Sequence, residues 1–123
     1  MKALVVDDSK PIRQIERKYL EELGFEVVEA ENGQEALERL KEHPDVRLIL
    51  LDWHMPVMNG YEFLKAVRAN PDWSEIKIMM VTTENQQKSV VEAIMAGANE
   101  YLMKPFDKEM LETKIRFLFE EAL

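Results

Sequence analysis

The strongest constraint on this chain is a strict alternation of short apolar runs with helical patterns, repeated five times. Ala3 to Val6, Phe25 to Val28, Arg47 to Leu51, Ile76 to Val81 and Glu100 to Met103 read as strands. They are apolar on both faces, as strands are when helices cover both sides of a sheet. Between them, apolar residues recur at helical spacing, for example Ile12, Ile15, Tyr19, Leu20 and Leu23. Ser9, with Pro11 in the first turn, predicts the start of that helix, and Gly24 its end. Asn32 with Glu35, and Asn59 with Glu62, have capping-box spacing. Asn70-Pro71-Asp72 breaks the third helix, Asn85 caps the fourth, and Asp107 caps the last. That last helix carries Leu111, Ile115 and Leu118 on one stripe.

Consecutive parallel strands need crossovers, and these are right-handed in nearly all proteins. The pattern therefore predicts an α/β fold, a doubly wound (βα)5 three-layer sandwich. Alternation fixes neither a 2-1-3-4-5 strand order nor a Rossmann-like one. The 123 residues suit one domain, spanning 1–123. A net charge of −8 argues against direct nucleic-acid binding. The lack of cysteine excludes disulfides and thiolate metal sites. No apolar run approaches membrane-spanning length or resembles a signal peptide, so a cytoplasmic location is expected.

Ligands of such sheets sit beyond the carboxyl ends of the strands. There the sequence places Asp7 and Asp8, then Asp52, then Thr82 and Thr83, then Lys104 and Pro105. If the first and third strands are neighbours, three carboxylates share one crevice. Their repulsion is relieved by raised pKa values or by a hard cation. Oxygen donors alone favour Mg²⁺. Lys104 supplies a compact positive charge and Thr82 a hydroxyl donor. This set suits phosphoryl transfer to Asp52, a reaction run largely by positioning and electrostatics. The bland reading is a few solvated surface acids and one lysine, which any one of these residues alone would favour. Suitable residues at four of the five strand ends favour the chemical reading.

These residues resemble the receiver domains of two-component response regulators, above all the single-domain chemotaxis type. The likeness rests on Val5-Val6-Asp7-Asp8-Ser9, Leu51-Asp52-Trp53-His54-Met55-Pro56-Val57-Met58-Asn59-Gly60, Val81-Thr82-Thr83-Glu84, Ala96-Gly97-Ala98 and Lys104-Pro105-Phe106. The resemblance implies the 2-1-3-4-5 order and makes Asp52 the phosphoacceptor. Asp8, Asp52 and the backbone carbonyl of His54 would hold Mg²⁺, or Mn²⁺ in its place, with Asp7 acting mainly through water. Thr82 and Lys104 would meet phosphoryl oxygens, Lys104-Pro105 would be cis, and Tyr101 would be the aromatic switch. His54 and Glu84 occupy positions that tune phosphoryl lifetime. As a pair they would be pH-sensitive, which phosphoryl decay in His54→Ala across pH 5.5–8 would test.

The resemblance further implies a sensor histidine kinase or phosphotransfer protein as donor. A downstream target would bind the face formed by the fourth helix, fifth strand and fifth helix, with Lys88, Val91, Met95, Tyr101, Lys114 and Phe117 on show. The protein would be a monomer or a phosphorylation-linked dimer. It would be a switch rather than an enzyme, catalysing only its own phosphorylation and dephosphorylation. A last helix running to Leu123 without a linker leans towards a stand-alone regulator over a domain cut from a longer one. Three rivals stand beside this. An aspartate-nucleophile phosphatase usually has a second acid where His54 stands, and a cap insertion. A flavodoxin-like FMN carrier needs a phosphate-cradling loop where Asp7-Asp8-Ser9-Lys10 stands. A degenerate receiver would only bind partners.

Overall fold

A computed structural model describes residues 1–83 and 87–120, with side chains over 1–83 and 90–119. The elements run β1 (Lys2–Val6), α1 (Lys10–Glu22), β2 (Glu26–Ala30), α2 (Gly33–Glu42), β3 (Val46–Asp52), α3 (Gly60–Arg68), β4 (Lys77–Thr82), α4 (Gln87–Met95), β5 (Glu100–Met103) and α5 (Lys108–Glu120). A single 3-10 turn, Pro71–Trp73, follows α3. The five strands form one parallel sheet of order β2-β1-β3-β4-β5, so the order left open by the alternation is the flavodoxin-like one.

Alternate strand residues serve opposite faces, as the pleat requires. Ala3, Val5, Leu48, Leu50, Met79 and Val81 pack with Leu20 of α1 and Leu111, Ile115 and Leu118 of α5. Leu4, Val6, Ile49, Leu51, Ile78 and Met80 pack against α2, α3 and α4 through Leu40, Phe63, Leu64, Val67 and Ala93. A fully buried Leu or Ile of this kind contributes about 1.5–3 kcal/mol. The central strands β1, β3 and β4 are thereby fixed from both sides, and their carboxyl ends line up in register.

Several helix starts follow the expected caps. Ser9 accepts from the Ile12 N–H at 3.4 Å and Asn32 from the Glu35 N–H at 2.8 Å. Asn59 and Glu62 form a reciprocal box at 2.9 and 3.1 Å, and Asp107 accepts from the Met110 N–H at 2.8 Å. Gly24 ends α1 with φ +96, a left-handed conformation that side chains disfavour. Asn85, the expected cap of α4, lies outside the described residues.

Two expectations change. β5 spans Glu100–Met103 as expected, whereas most ends of the other strands shift by one or two residues, most at β2, which begins at Glu26 and runs on to Ala30. On α1, Ile15 is 45% exposed and Glu16 only 1%. Glu16 follows Ile12 by four residues and precedes Leu20 by four, so it takes the inward position that Ile15 was expected to fill.

Candidate functional site

The site is built where β1 and β3 end side by side. Asp7 leaves β1 fully buried, while Asp8 beside it is exposed. The Asp7 backbone is pinned twice: its N–H donates to the Ala30 carbonyl at 3.1 Å, and its own carbonyl accepts from Arg13 at 2.6 Å. Its Oδ1 accepts from the Ser9 N–H at 2.8 Å, an Asx turn that leads the chain into α1. Asp52 is the last residue of β3. Behind it, Gly60 comes so close that an added Cβ would lie 2.6 Å from the Asp52 carbonyl oxygen and 2.9 Å from Trp53 Cα. The start of α3 can therefore seat against Asp52 only with glycine there.

Asp7, Asp8 and Asp52 each offer a carboxylate oxygen, and these atoms lie within 4.8 Å of one another. Lys104, between β5 and α5, sends its Nζ to Asp7 Oδ2 at 3.1 Å and to Asp52 Oδ1 at 3.6 Å. One ammonium thus pairs with two of the three carboxylates. Burial and the neighbouring Asp7 charge push the Asp52 carboxyl up to about 6, against the pull of Lys104. Burial would lower the Lys104 pKa, but Asp52, Asp7 and Glu16 outweigh it and raise it. An all-oxygen, carboxylate-rich donor set with excess negative charge fits a hard divalent cation.

Thr82, the last residue of β4, is buried, and its Oγ1 has no hydrogen-bond partner among the described residues. It lies one residue past Val81, which is in register with Asp52. Tyr101 of β5 is 38% exposed, with Lys114 Nζ 4.9 Å from its ring centre. A cavity of about 250 Å³ lies between them, lined by Thr82, Thr83, Val90, Val91, Tyr101 and Met103. Lys104-Pro105 is cis, as the resemblance implied. The His54 side chain is exposed on the loop after β3. Glu84 and the Lys88 side chain lie outside the described residues, so the His54–Glu84 pair is not described. The geometry brings together Asp7, Asp8, Asp52 and Lys104, with Thr82 at the adjoining strand end.

Sequence reasoning missed Glu16. Its Oε1 is buried without a partner among the described residues, and burial and Asp7 push its carboxyl up to about 8. The signal was its position on the apolar stripe of α1, obscured by the residue type.

A doubly wound parallel sheet with a carboxylate cluster and one lysine at its switch point defines a class of α/β proteins with a charged ligand site at the strand ends. Residues 3–116 match the family model described as "Response regulator receiver domain", and the chain belongs to that family. It is similar to chemotaxis protein CheY1 of Helicobacter pylori, at 46% identity over 94% of each chain. The chemotaxis protein CheY homolog of Campylobacter jejuni is 45% identical over 94% of this chain and 89% of its own. Among solved structures, chemotaxis response regulator CheY4 of Vibrio cholerae superposes with a TM-score of 0.88 at 38% identity, covering 96% of this chain and 98% of its own. The chain is thus a CheY-like receiver of two-component signalling. No helix of the described residues is long and apolar enough to cross a membrane.

Proposed function

We propose that this receiver accepts a phosphoryl group on Asp52 from a phosphohistidine donor, a sensor kinase or a phosphotransfer protein. The observation that carries the reading is the ammonium of Lys104 held between Asp7 and Asp52, with Asp8 beside them. A carboxylate oxygen of Asp52 attacks phosphorus. The new O–P bond forms as the P–N bond breaks, the imidazole leaves, and the product is an acyl phosphate. Asp8, Asp52 and the His54 carbonyl would hold Mg²⁺, with Asp7 supporting it, and the cation would offset charge on the transferring group. Lys104 meets a second phosphoryl oxygen, and the unpartnered hydroxyl of Thr82 supplies a third contact.

The same reading has an output. Thr82 moving toward the phosphoryl group lets Tyr101 turn into the cavity between them. That shift changes the face of α4, β5 and α5, where Val91, Met95 and Phe117 are 63, 84 and 58% exposed. A downstream protein binds there. The protein works as a switch in the cytoplasm and turns over no external substrate. Incubation with a small phosphodonor and Mg²⁺ tests the core of this, read by intact mass. The parent gains one phosphoryl mass and Asp52→Asn gains none. A parent that stays unmodified, or a mutant that gains the same mass, overturns it.

A further inference from the structure

Glu16 takes no part in the mechanism above, although it is the buried acid closest in kind to the site residues. It stands on the inner face of α1, 1% exposed, with Oε1 lacking a hydrogen-bond partner among the described residues. A buried polar atom left in this state is costly, and such atoms are rare enough to need a reason. The turn of α1 that carries it faces Lys104. Ile12 and Ile15 line a cavity of about 370 Å³ together with Lys104, Pro105 and Phe106. One turn on, Tyr19 meets Phe106 edge-to-face, with ring centres 6.2 Å apart. Lys104 is also among the groups whose charge reaches the Glu16 carboxyl.

Lys104 meanwhile holds a borrowed position. Its two partners, Asp7 and Asp52, are the carboxylates that a cation and its waters would claim. Asp7 has little to spare, since its Oδ1 already accepts from Ser9 and its Oδ2 from Lys104. When a cation occupies the site before any phosphoryl group arrives, the lysine loses part of its pairing. A half-buried ammonium needs another acceptor at that moment. We propose that Glu16 is a positioning residue, the buried second acceptor that holds the Lys104 ammonium in place while the site carries a cation and awaits the phosphoryl group.

Glu16 suits this role because burial and the Asp7 and Asp52 charges keep its carboxyl protonated at neutral pH. A neutral acid accepts through its carbonyl oxygen without drawing Lys104 away from Asp7 and Asp52 beforehand. The inference rests on the phosphoacceptor reading but is tested apart from it, by cation affinity rather than by phosphorylation.

Calorimetric titration of the whole chain with Mg²⁺ alone, at pH 7, tests it. Glu16→Gln keeps an acceptor oxygen and is expected to bind within about twofold of the parent. Glu16→Leu and Glu16→Met remove the acceptor but suit the apolar surroundings, and are expected to bind about tenfold more weakly, a cost of about 1.4 kcal/mol. In a Lys104→Met background the same Glu16 substitutions are expected to change nothing further. Parental affinity in Glu16→Leu and Glu16→Met overturns the proposal. So does a loss that persists without Lys104, or a loss in Glu16→Gln as large as in Glu16→Leu. Failure of Asp52 to gain a phosphoryl mass in the parent would instead strike the underlying reading.

Discussion

Val57 has φ 67, a left-handed conformation that a β-branched side chain adopts at a cost of about 1–2 kcal/mol. The Met58 N–H closes a tight turn around it by donating to the Pro56 carbonyl at 2.7 Å. The Met58 carbonyl in turn accepts from the Gly33 N–H at 3.0 Å, so α2 holds the loop in this shape. The Val57 side chain is 81% exposed and returns little packing. Val57→Asn is expected to raise stability by about 1 kcal/mol, seen as a higher urea midpoint at an unchanged slope. Asp52 invites a second measurement at this scale. In cation-free protein its carboxyl is expected to titrate near 6, followed by carbon NMR of the side chain. Burial is the main cause and the Asp7 charge the next, so Asp7→Asn is expected to lower that midpoint without restoring the ordinary value.

Among the elements, α3 is tied to its surroundings by one side chain at its end. Arg68 donates to the Gly97 carbonyl at 2.9 Å, the Trp73 carbonyl at 3.3 Å, the Ile76 carbonyl at 2.8 Å and Asn99 Oδ1 at 2.8 Å. Asn99 Oδ1 also accepts from the Ile78 N–H at 2.8 Å. One guanidinium thus joins the end of α3, the start of β4 and the turn after α4. Arg68→Met keeps the stem but strands these acceptors, and is expected to cost about 2–4 kcal/mol in urea unfolding. The sequence announced none of this, because an arginine in a helix's last turn is ordinary and carbonyl partners leave no pattern. It did announce the strands β1, β3 and β4, whose residues are apolar on both faces. The edge strand β2 was harder to bound, because Glu29 interrupts it and pairs with Arg13 and Arg17. Strand order was illegible from alternation, since a crossover fixes direction and hand but not which neighbour a strand takes. The site residues were legible because strand ends are countable positions. Glu16 was not, because helical spacing places an acid inward but cannot say what it meets there.

For the molecule as a whole, two buried acids set how stability responds to pH. Folding raises the Asp52 carboxyl from 3.8 to about 6 and the Glu16 carboxyl from 4.5 to about 8. The folded state therefore binds more protons than the unfolded chain, and stability falls as pH rises. The Asp52 contribution is complete below its unfolded value and is lost as pH rises through about 6, on the order of 3 kcal/mol. The Glu16 contribution is lost as pH rises from 4.5 through about 8, on the order of 5 kcal/mol. Depressed surface acids such as Asp45 beside Lys2 act in the opposite sense, but only at lower pH. Between pH 6 and 8 the Asp52 loss is largely complete, and Glu16 dominates the slope. Parent protein is expected to lose stability across that window in urea titrations, while Glu16→Leu holds nearly level. Added Mg²⁺ should lift the curve by relieving repulsion among Asp7, Asp8 and Asp52, and should move the Glu16 step to lower pH, because the Asp7 and Asp52 charges that raise it are then offset. Parallel curves for parent and Glu16→Leu would mean that Glu16 does not carry its proton in the folded state.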